Sequence, residues 1–198
     1  EIRHAEGEID IKDLIDDEEI TITLTHFGYI KRLPLDTYKS QKRGGRGISA
    51  LTTREEDFVK HLVSTTTHSK LLFFTNKGRV FRLNAYEIPE GKRQAKGTAI
   101  VNLLQLGPNE KIATLLAIDE KDDNKYLLLA TKNGIVKKTD REEFKNINKA
   151  GLIAIGLRED DELIGSILRQ KALSEEIFSN NTLLKESMKN LFDFTNLD

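Results

Sequence analysis

Three copies of one sequence pattern divide most of this chain into units of about fifty residues. Each copy consists of a threonine, two further residues, a glycine and a short segment that ends in basic residues. The copies run over 25–32, 75–82 and 131–138, and their glycines are 50 and 56 residues apart. An apolar run precedes each copy, and a glycine between two strand-like segments is typical of a β-hairpin. The pattern therefore predicts a strand, a tight turn and a second strand in every unit.

A second glycine follows each predicted hairpin and begins another apolar segment. These glycines, Gly47, Gly97 and Gly151, are 50 and 54 residues apart, and further strand-like runs follow at 58–63, 111–116 and 162–167. Four-stranded units of this length are typical of propeller blades. The sequence predicts an all-β, propeller-like array of about three four-stranded blades at 19–68, 69–124 and 125–167. One such blade cannot bury both faces alone, so neighbouring blades must stack.

The two ends of the chain differ from the units between them. Residues 1–18 are predicted to be an acidic linker from an upstream domain, because the segment 1–19 has a net charge of −7 and no initiator methionine precedes it. Residues 168–198 contain neither the Thr-x-x-Gly turn nor a basic, glycine-rich segment. They are predicted to form a non-blade tail, helical or disordered, in which Leu184, Met188, Leu191 and Phe192 share a helical face.

A basic, glycine-rich segment lies between the first hairpin and the second glycine of the first unit. It consists of Gln41, Lys42, Arg43, Gly44, Gly45, Arg46 and Gly47. Glycines let the backbone turn through positive φ and approach another surface closely. Arginine offers a planar fork of donors that fits phosphate oxygens, and lysine adds a point charge. On residue types alone, a solvated basic turn and a phosphate-binding loop both remain open.

Weaker copies of this segment occur at 91–97 and 145–151, and positive charge is concentrated around all three. The net charge of the whole chain is −1, whereas it is +6 over 26–54, +5 over 70–97 and +3 over 132–149. A basic patch at one position per blade would form a track for a curved, continuous polyanion, and duplex DNA is the simplest candidate. Besides residues 41–47, the predicted DNA-binding residues are Lys31, Arg32, Arg79, Arg82, Lys92, Arg93, Lys96, Lys137 and Lys138.

The chain shows no catalytic constellation. It has no cysteine, which excludes disulfides, thiolate metal sites and cysteine nucleophiles. Its four histidines lack the spacing of metal ligands, and the glycines at 44–47 lack the Gly-Lys-Ser/Thr ending of a P-loop. The acidic run 16–19 is interpreted as a solvated linker rather than a metal site. No apolar run approaches the ~18 residues that span a bilayer, so no membrane partner is predicted, and a cytoplasmic location is compatible with the composition.

Three segments carry a resemblance to a known family. Residues 41–47 resemble the gyrase A box, and residues 20–32 resemble the first blade of the C-terminal domain of the DNA gyrase A subunit. Residues 6–15 are similar to the segment that joins the breakage-reunion core to that domain. The resemblance covers roughly 6–167 and implies a β-pinwheel, in which neighbouring blades exchange strands. It also implies DNA wrapping that lets an ATP-driven type II topoisomerase introduce negative supercoils.

The resemblance also implies where the other functions of the enzyme lie. The DNA-cleaving tyrosine would lie upstream of this chain, so Tyr29, Tyr38, Tyr86 and Tyr126 receive no such role. Cofactors are expected elsewhere in the holoenzyme, with ATP hydrolysed on the gyrase B subunit, while no ATP or Mg²⁺ is bound here. The expected partners are duplex DNA, the rest of the gyrase A subunit, and the gyrase B subunit.

Two alternatives and one departure from the family remain. The C-terminal domain of the corresponding topoisomerase IV subunit has the same blades, but its box is degenerate or missing, so the intact box here favours gyrase. A propeller-like scaffold whose basic rim meets acidic proteins is the alternative from another functional class. The family domain has about six blades and this chain has three, so we expect either an open array or pairing between two chains.

Overall fold

The computed structural model describes residues 11–35, 57–118 and 126–169, and almost all of its regular structure is β-strand. The first unit contributes β1 (Glu19–Thr25), β2 (Tyr29–Pro34) and β3 (Val59–Thr66). The second contributes β4 (Lys70–Thr75), β5 (Arg79–Asn84), β6 (Thr98–Ala99) and β7 (Ile112–Ile118). The third contributes β8 (Tyr126–Thr131), β9 (Val136–Asp140), β10 (Leu152–Ile153) and β11 (Leu163–Arg169). A short 3-10 helix at Ile11–Leu14 precedes β1, and others at Ala85–Glu87, Ile100–Asn102 and Arg141–Phe144 connect strands.

The strands form three antiparallel sheets that exchange strands between units. The first sheet has the order β3-β1-β2-β6, so its outer strand comes from the second unit. The second sheet has the order β10-β5-β4-β7 and takes its outer strand from the third unit. The third sheet has the order β11-β8-β9, and among the described residues no further strand pairs with β9. This exchange confirms the predicted all-β pinwheel.

The Thr-x-x-Gly pattern forms the same turn in all three units. The N–H groups of Gly28, Gly78 and Gly134 each donate to the carbonyl oxygen of the threonine three residues earlier, at 3.0 Å. The hydroxyl oxygens of these threonines accept the N–H of the residue after each glycine, at 3.1, 3.3 and 3.2 Å. The glycine φ angles of 83°, 75° and 82° lie in the left-handed region, which explains the residue type.

An acidic residue before the last strand of each unit (β3, β7 or β11) completes this turn, and it was not among the sequence-based predictions. Asp57 accepts the N–H of Phe27 at 3.0 Å, and Asp161 accepts the N–H of Asn133 at 3.0 Å. Glu110, with a longer side chain, accepts instead the Thr75 hydroxyl at 2.7 Å. The acids are 53 and 51 residues apart, so their recurrence was visible in the sequence, but a carboxylate before a strand gives no local signal of its partner.

Two hydrophobic interfaces hold the three sheets together, and β4 contributes to both. Leu71 and Phe73 pack with β1 and β2 of the first unit, whereas Leu72 and Phe74 pack with β8 of the third. All four side chains are at most 1% exposed. Successive residues of a strand point to opposite faces, so a continuous apolar run is what a sheet covered on both sides requires.

The exchanged strands are shorter than the apolar segments that contain them. After Ala99 the chain turns so that the Ile100 N–H donates to the Gly28 carbonyl at 2.8 Å, and the Ala154 N–H donates in the same way to Gly78. Ile100 and Ala154 are thereby buried at the joint between two units. β11 includes residues 168 and 169, the first two of the predicted non-blade tail. The rest of that tail, 170–198, and most of the predicted acidic linker lie outside the described residues.

Candidate nucleic-acid interface

The basic segment of the first unit, residues 41–47, lies outside the described residues, whereas its copy at 91–97 is described. Lys92, Arg93 and Lys96 are exposed in this loop. The Ala95 N–H donates to the Lys92 carbonyl at 2.9 Å and closes a turn. The Lys96 ammonium lies 3.8 Å from the centre of the Tyr29 ring in the first unit, a cation–π contact that holds this side chain beside β2.

Lys31 of the first unit binds the backbone of this loop. Its Nζ donates to the carbonyl oxygens of Lys92, Arg93 and Ala95 at 3.1, 2.8 and 2.7 Å. The residue is 5% exposed, and burial lowers the pKa of its ammonium. The three N–H groups of the ammonium are therefore engaged with backbone carbonyls rather than directed to solvent.

Arg32 and Arg82 occupy equivalent positions and make the same kind of contact with the following unit. Arg32 Nε donates to the Ile88 carbonyl at 2.8 Å, and its guanidinium is 3.7 Å from the Glu90 carboxylate. Arg82 Nη1 donates to the carbonyl of Lys145. Both arginines thus hold the chain just after a 3-10 helix of the next unit. Neither role could be distinguished from phosphate binding by residue type.

Arg79 is placed among protein groups as well. Its Nη1 is 2.8 Å from Glu110 Oε2, and its Nη2 donates to the Ala150 carbonyl. The guanidinium also lies 4.7 Å from the centre of the Phe81 ring. The Glu110 side chain is only 2% exposed, so Arg79 compensates a buried carboxylate and joins the second unit to the third.

The remaining predicted bases, Lys137 and Lys138, lie on β9. Lys137 is exposed, and its Nζ donates to the Ala154 carbonyl at 2.8 Å. The Lys138 ammonium lies 4.1 Å from the centre of the Tyr126 ring. These lysines correspond to Lys31 and Arg32 in the repeat.

A basic cleft of about 300 Å³ between the second and third units brings together residues that were not predicted as a group. Its polar lining consists of Lys70, Arg82, Arg141 and Lys145, and its apolar lining of Leu72, Ile118 and Phe144. Lys145 forms an ion pair with Glu142, so part of its charge is compensated. The sequence-based prediction included Lys70 and Arg141 only in the net charges of 70–97 and 132–149, because these residues lie in different units and outside the glycine-rich copies.

Within 11–35, 57–118 and 126–169, no group of three or more histidine, aspartate or glutamate side chains is arranged to hold a metal ion. The same residues include no helix with the length and apolar character of a membrane span.

A model of the DNA gyrase C-terminal domain family, described as a β-propeller, matches residues 19–66, 69–119 and 125–168. The chain belongs to this family. The three matched segments correspond to the three repeating units. Among its relatives, the DNA gyrase A subunit of Clostridium acetobutylicum is 60% identical over 163 residues, covering 82% of this chain and 20% of the relative. The DNA gyrase A subunit of Halalkalibacterium halodurans is 54% identical over 164 residues, covering 83% and 20%. The chain thus spans about a fifth of the length of these gyrase relatives.

Solved structures of gyrase and topoisomerase IV domains share the fold. A DNA gyrase A C-terminal domain superposes with a TM-score of 0.60 at 32% identity, covering 78% of this chain and 49% of that one. A C-terminal domain of DNA topoisomerase IV superposes with a TM-score of 0.65 at 28% identity, covering 78% and 46%. The fold alone does not separate the two enzymes. The identities of 54–60% to the gyrase relatives support the assignment to gyrase.

Proposed function

We propose that this gyrase domain binds duplex DNA and wraps it along the exposed bases of the glycine-rich segments of successive units. The observation that carries the proposal is the loop 91–97, in which Lys92, Arg93 and Lys96 are exposed while the backbone is held by the preceding unit. Cations on a fixed backbone suit the repeated phosphates of a duplex. Such contacts fix the path of DNA and carry little sequence information.

The proposed interface divides the basic residues into two groups. Lys92, Arg93 and Lys96, together with the box residues 41–47, would contact phosphate. Lys31, Arg32 and Arg79 would hold loops in place, because their donors are directed to carbonyl and carboxylate oxygens of the protein. The cleft at Arg82 and Lys145 would lie along the same path between the second and third units and add positive potential.

The proposed role within the complete enzyme follows from family membership. Wrapping by this domain would fix the sign of the DNA crossover, and an ATP-dependent type II topoisomerase would convert it into negative supercoils. DNA cleavage would be carried out by the rest of the gyrase A subunit. The gyrase B subunit would hydrolyse ATP, with ATP and Mg²⁺ bound outside the chain described. This role would place the protein in the cytoplasm with chromosomal DNA and would require no cofactor in the chain described.

A topology assay with relaxed circular DNA tests the wrapping proposal. After ligase closure, the wild-type chain should shift the linking number, and the triple variant Lys42→Ala, Arg43→Ala, Arg46→Ala should lose that shift. A second triple variant, Lys92→Ala, Arg93→Ala, Lys96→Ala, should bind DNA with a weaker salt dependence. The negative slope of log affinity against log salt should decrease in magnitude by about 2.7, since each phosphate contact contributes about 0.9.

A charge-matched control separates specific contacts from total charge. The variant Lys77→Ala, Lys132→Ala, Arg158→Ala removes three exposed bases outside the loop 91–97. It should leave the linking-number shift in place and change the salt slope less. Equal losses in this control and in the loop variant would refute the assigned interface. Wild-type protein that fails to bind DNA would favour the protein-interaction scaffold.

A further inference from the structure

The exposed loop 91–97 takes its shape from the neighbouring unit. The Gly91 N–H donates to the Arg32 carbonyl at 3.0 Å, and the Arg32 N–H donates to the Pro89 carbonyl at 3.1 Å. These bonds fix the start of the loop against β2. At the other end, Thr98 pairs with Ile30 in the exchanged strand. The loop is therefore anchored at both ends to a strand more than fifty residues away in the sequence.

Between these anchors, the Lys31 ammonium organises the middle of the loop. A lysine ammonium has three N–H donors, and here three carbonyl oxygens converge on it within 3.1 Å. Among the described residues, no acid forms an ion pair with it, so the positive charge is balanced by carbonyl dipoles. Three carbonyls turned toward one cation would otherwise repel each other. The ammonium therefore stabilises a backbone curvature that the loop would not adopt alone.

The two glycines of the loop make this approach possible. A Cβ at Gly91 would lie 2.9 Å from Lys31 Cδ, and a Cβ at Gly97 would lie 2.6 Å from the Ile30 carbonyl oxygen. Gly97 also has a φ of 94°, which side-chain-bearing residues rarely adopt. Both glycines thus lie where the loop is in direct contact with Lys31 and its neighbour.

The second unit has no lysine at the position that corresponds to Lys31 in the repeat. Phe81 occupies this position, and a Cβ at Gly151 would lie 2.9 Å from the Phe81 ring. An aromatic ring fills space against the third unit but donates no hydrogen bond to backbone carbonyls. The copy supported by Phe81 also has one base fewer, since 145–151 contains only Lys145 and Lys149 whereas 91–97 contains three bases.

We propose that Lys31 is a positioning residue that shapes the loop 91–97 for phosphate binding, so that the first unit controls a DNA contact made by the second. The inference rests on the proposed DNA-binding function, because it assigns a purpose to the loop geometry. It differs from the sequence-based prediction, in which Lys31 itself contacts DNA. In the structure, the Lys31 ammonium binds three backbone carbonyl oxygens of the loop. The basic side chains of the same loop are exposed to solvent.

Hydrogen exchange without DNA tests the structural half of this inference. The variant Lys31→Met retains an unbranched apolar side chain as far as Cε but has no donor. The amides of 92–96 should exchange at least about tenfold faster, as expected for the loss of charge-assisted hydrogen bonds, while β7 exchanges as in the wild type. Unchanged exchange in the loop would overturn the inference.

Chemical rescue provides a second measurement that does not depend on the folding of one variant. Lys31→Ala leaves a space matching n-propylammonium, which should restore protection of the loop amides at constant ionic strength. Tetramethylammonium, a cation without N–H donors, is the matched control and should restore nothing. Equal effects of the two cations would show that charge or salt, rather than donation to carbonyls, governs the loop, and would overturn the inference.

Measurements of DNA affinity test the functional part of the inference. If the loop geometry serves phosphate binding, Lys31→Met should weaken DNA affinity about as much as removing Lys92 and Arg93 together, and n-propylammonium should rescue Lys31→Ala. A loop that exchanges faster while DNA affinity stays at the wild-type value would overturn the inference. Wild-type protein that binds no DNA would instead refute the proposed function, and the exchange data would still show separately whether Lys31 holds the loop.

Discussion

Substituting the turn glycines tests whether the joints between units depend on direct backbone contact. Gly28, Gly78 and Gly134 have the same Thr-x-x-Gly turn and nearly the same positive φ. Their surroundings differ. A Cβ at Gly134 would meet no atom within 4 Å, whereas one at Gly28 would lie 3.3 Å from Ile100 Cγ2. A Cβ at Gly78 would overlap the Ile155 carbonyl oxygen and approach two further side-chain carbons at 3.2 Å.

These distances predict an order of destabilisation by alanine. Positive φ alone costs an alanine about 1–2 kcal/mol, and Gly134→Ala should lose only that. Gly28→Ala adds a close contact with a side chain that can shift, so about 2 kcal/mol is expected. In Gly78→Ala the overlapping atom belongs to the backbone, and the Ala154 and Ile155 N–H groups both donate to the Gly78 carbonyl. Overpacking and disturbance of these bonds should bring the loss to about 3–6 kcal/mol.

Urea unfolding followed by far-UV circular dichroism measures the three free energies, and the absence of tryptophan makes this signal preferable to fluorescence. Equal slopes against urea would show that the variants change stability and not the extent of unfolding. The expected order of loss is Gly134→Ala, then Gly28→Ala, then Gly78→Ala. If Gly134→Ala were as damaging as Gly78→Ala, backbone conformation alone would explain the turn geometry that the units share, and the contact argument would fail.

Two further predictions concern ionisable groups that are wholly or partly buried. Burial, with a smaller effect from Lys60, lowers the pKa of His61 to about 4, so the folded protein favours neutral histidine. Stability should therefore fall by about 2–3 kcal/mol as pH drops from 6.5 toward 4, and unfolding curves for His61→Leu should lack this component over that range. Glu110→Ala should cost about 3–5 kcal/mol by thermal or urea unfolding, because it leaves the Arg79 guanidinium without its carboxylate. The exposed control Glu159→Ala should stay within about 0.5 kcal/mol, and similar losses for both would argue against a structural role for Glu110.

The units and their hairpins could be predicted because their signals are local. A glycine at positive φ, a threonine three residues earlier and flanking apolar runs together specify a turn between two strands. The exchanged strands are different. β6 and β10 contain two residues each, too few for a periodic pattern, and their partners are chosen by pairing across more than sixty residues. Only the family resemblance predicted that exchange.

The interface was predictable as a region and not residue by residue. Lys31 and Lys92 have the same side chain and lie in similarly basic segments, yet Lys31 is buried on three carbonyls and Lys92 is exposed. The difference depends on which unit lies against each segment, and a charge count contains no such information. The carboxylate of Glu110 was missed for the same reason, because its arginine partner is 31 residues away in sequence.

Because strands are exchanged between units, two strands that pair in the folded protein are synthesised at different times. β2 ends at Pro34, but the strand that pairs with its outer edge, β6, begins only at Thr98. At ~5–20 residues per second, that edge waits for several seconds before its partner is made. An open edge invites pairing with another chain, and charged side chains oppose it. Lys31 and Arg32 place such charges on the edge of β2, and in the finished protein they hold the second unit. Lys137 and Lys138 place charges on β9 in the same way, with contacts inside the third unit.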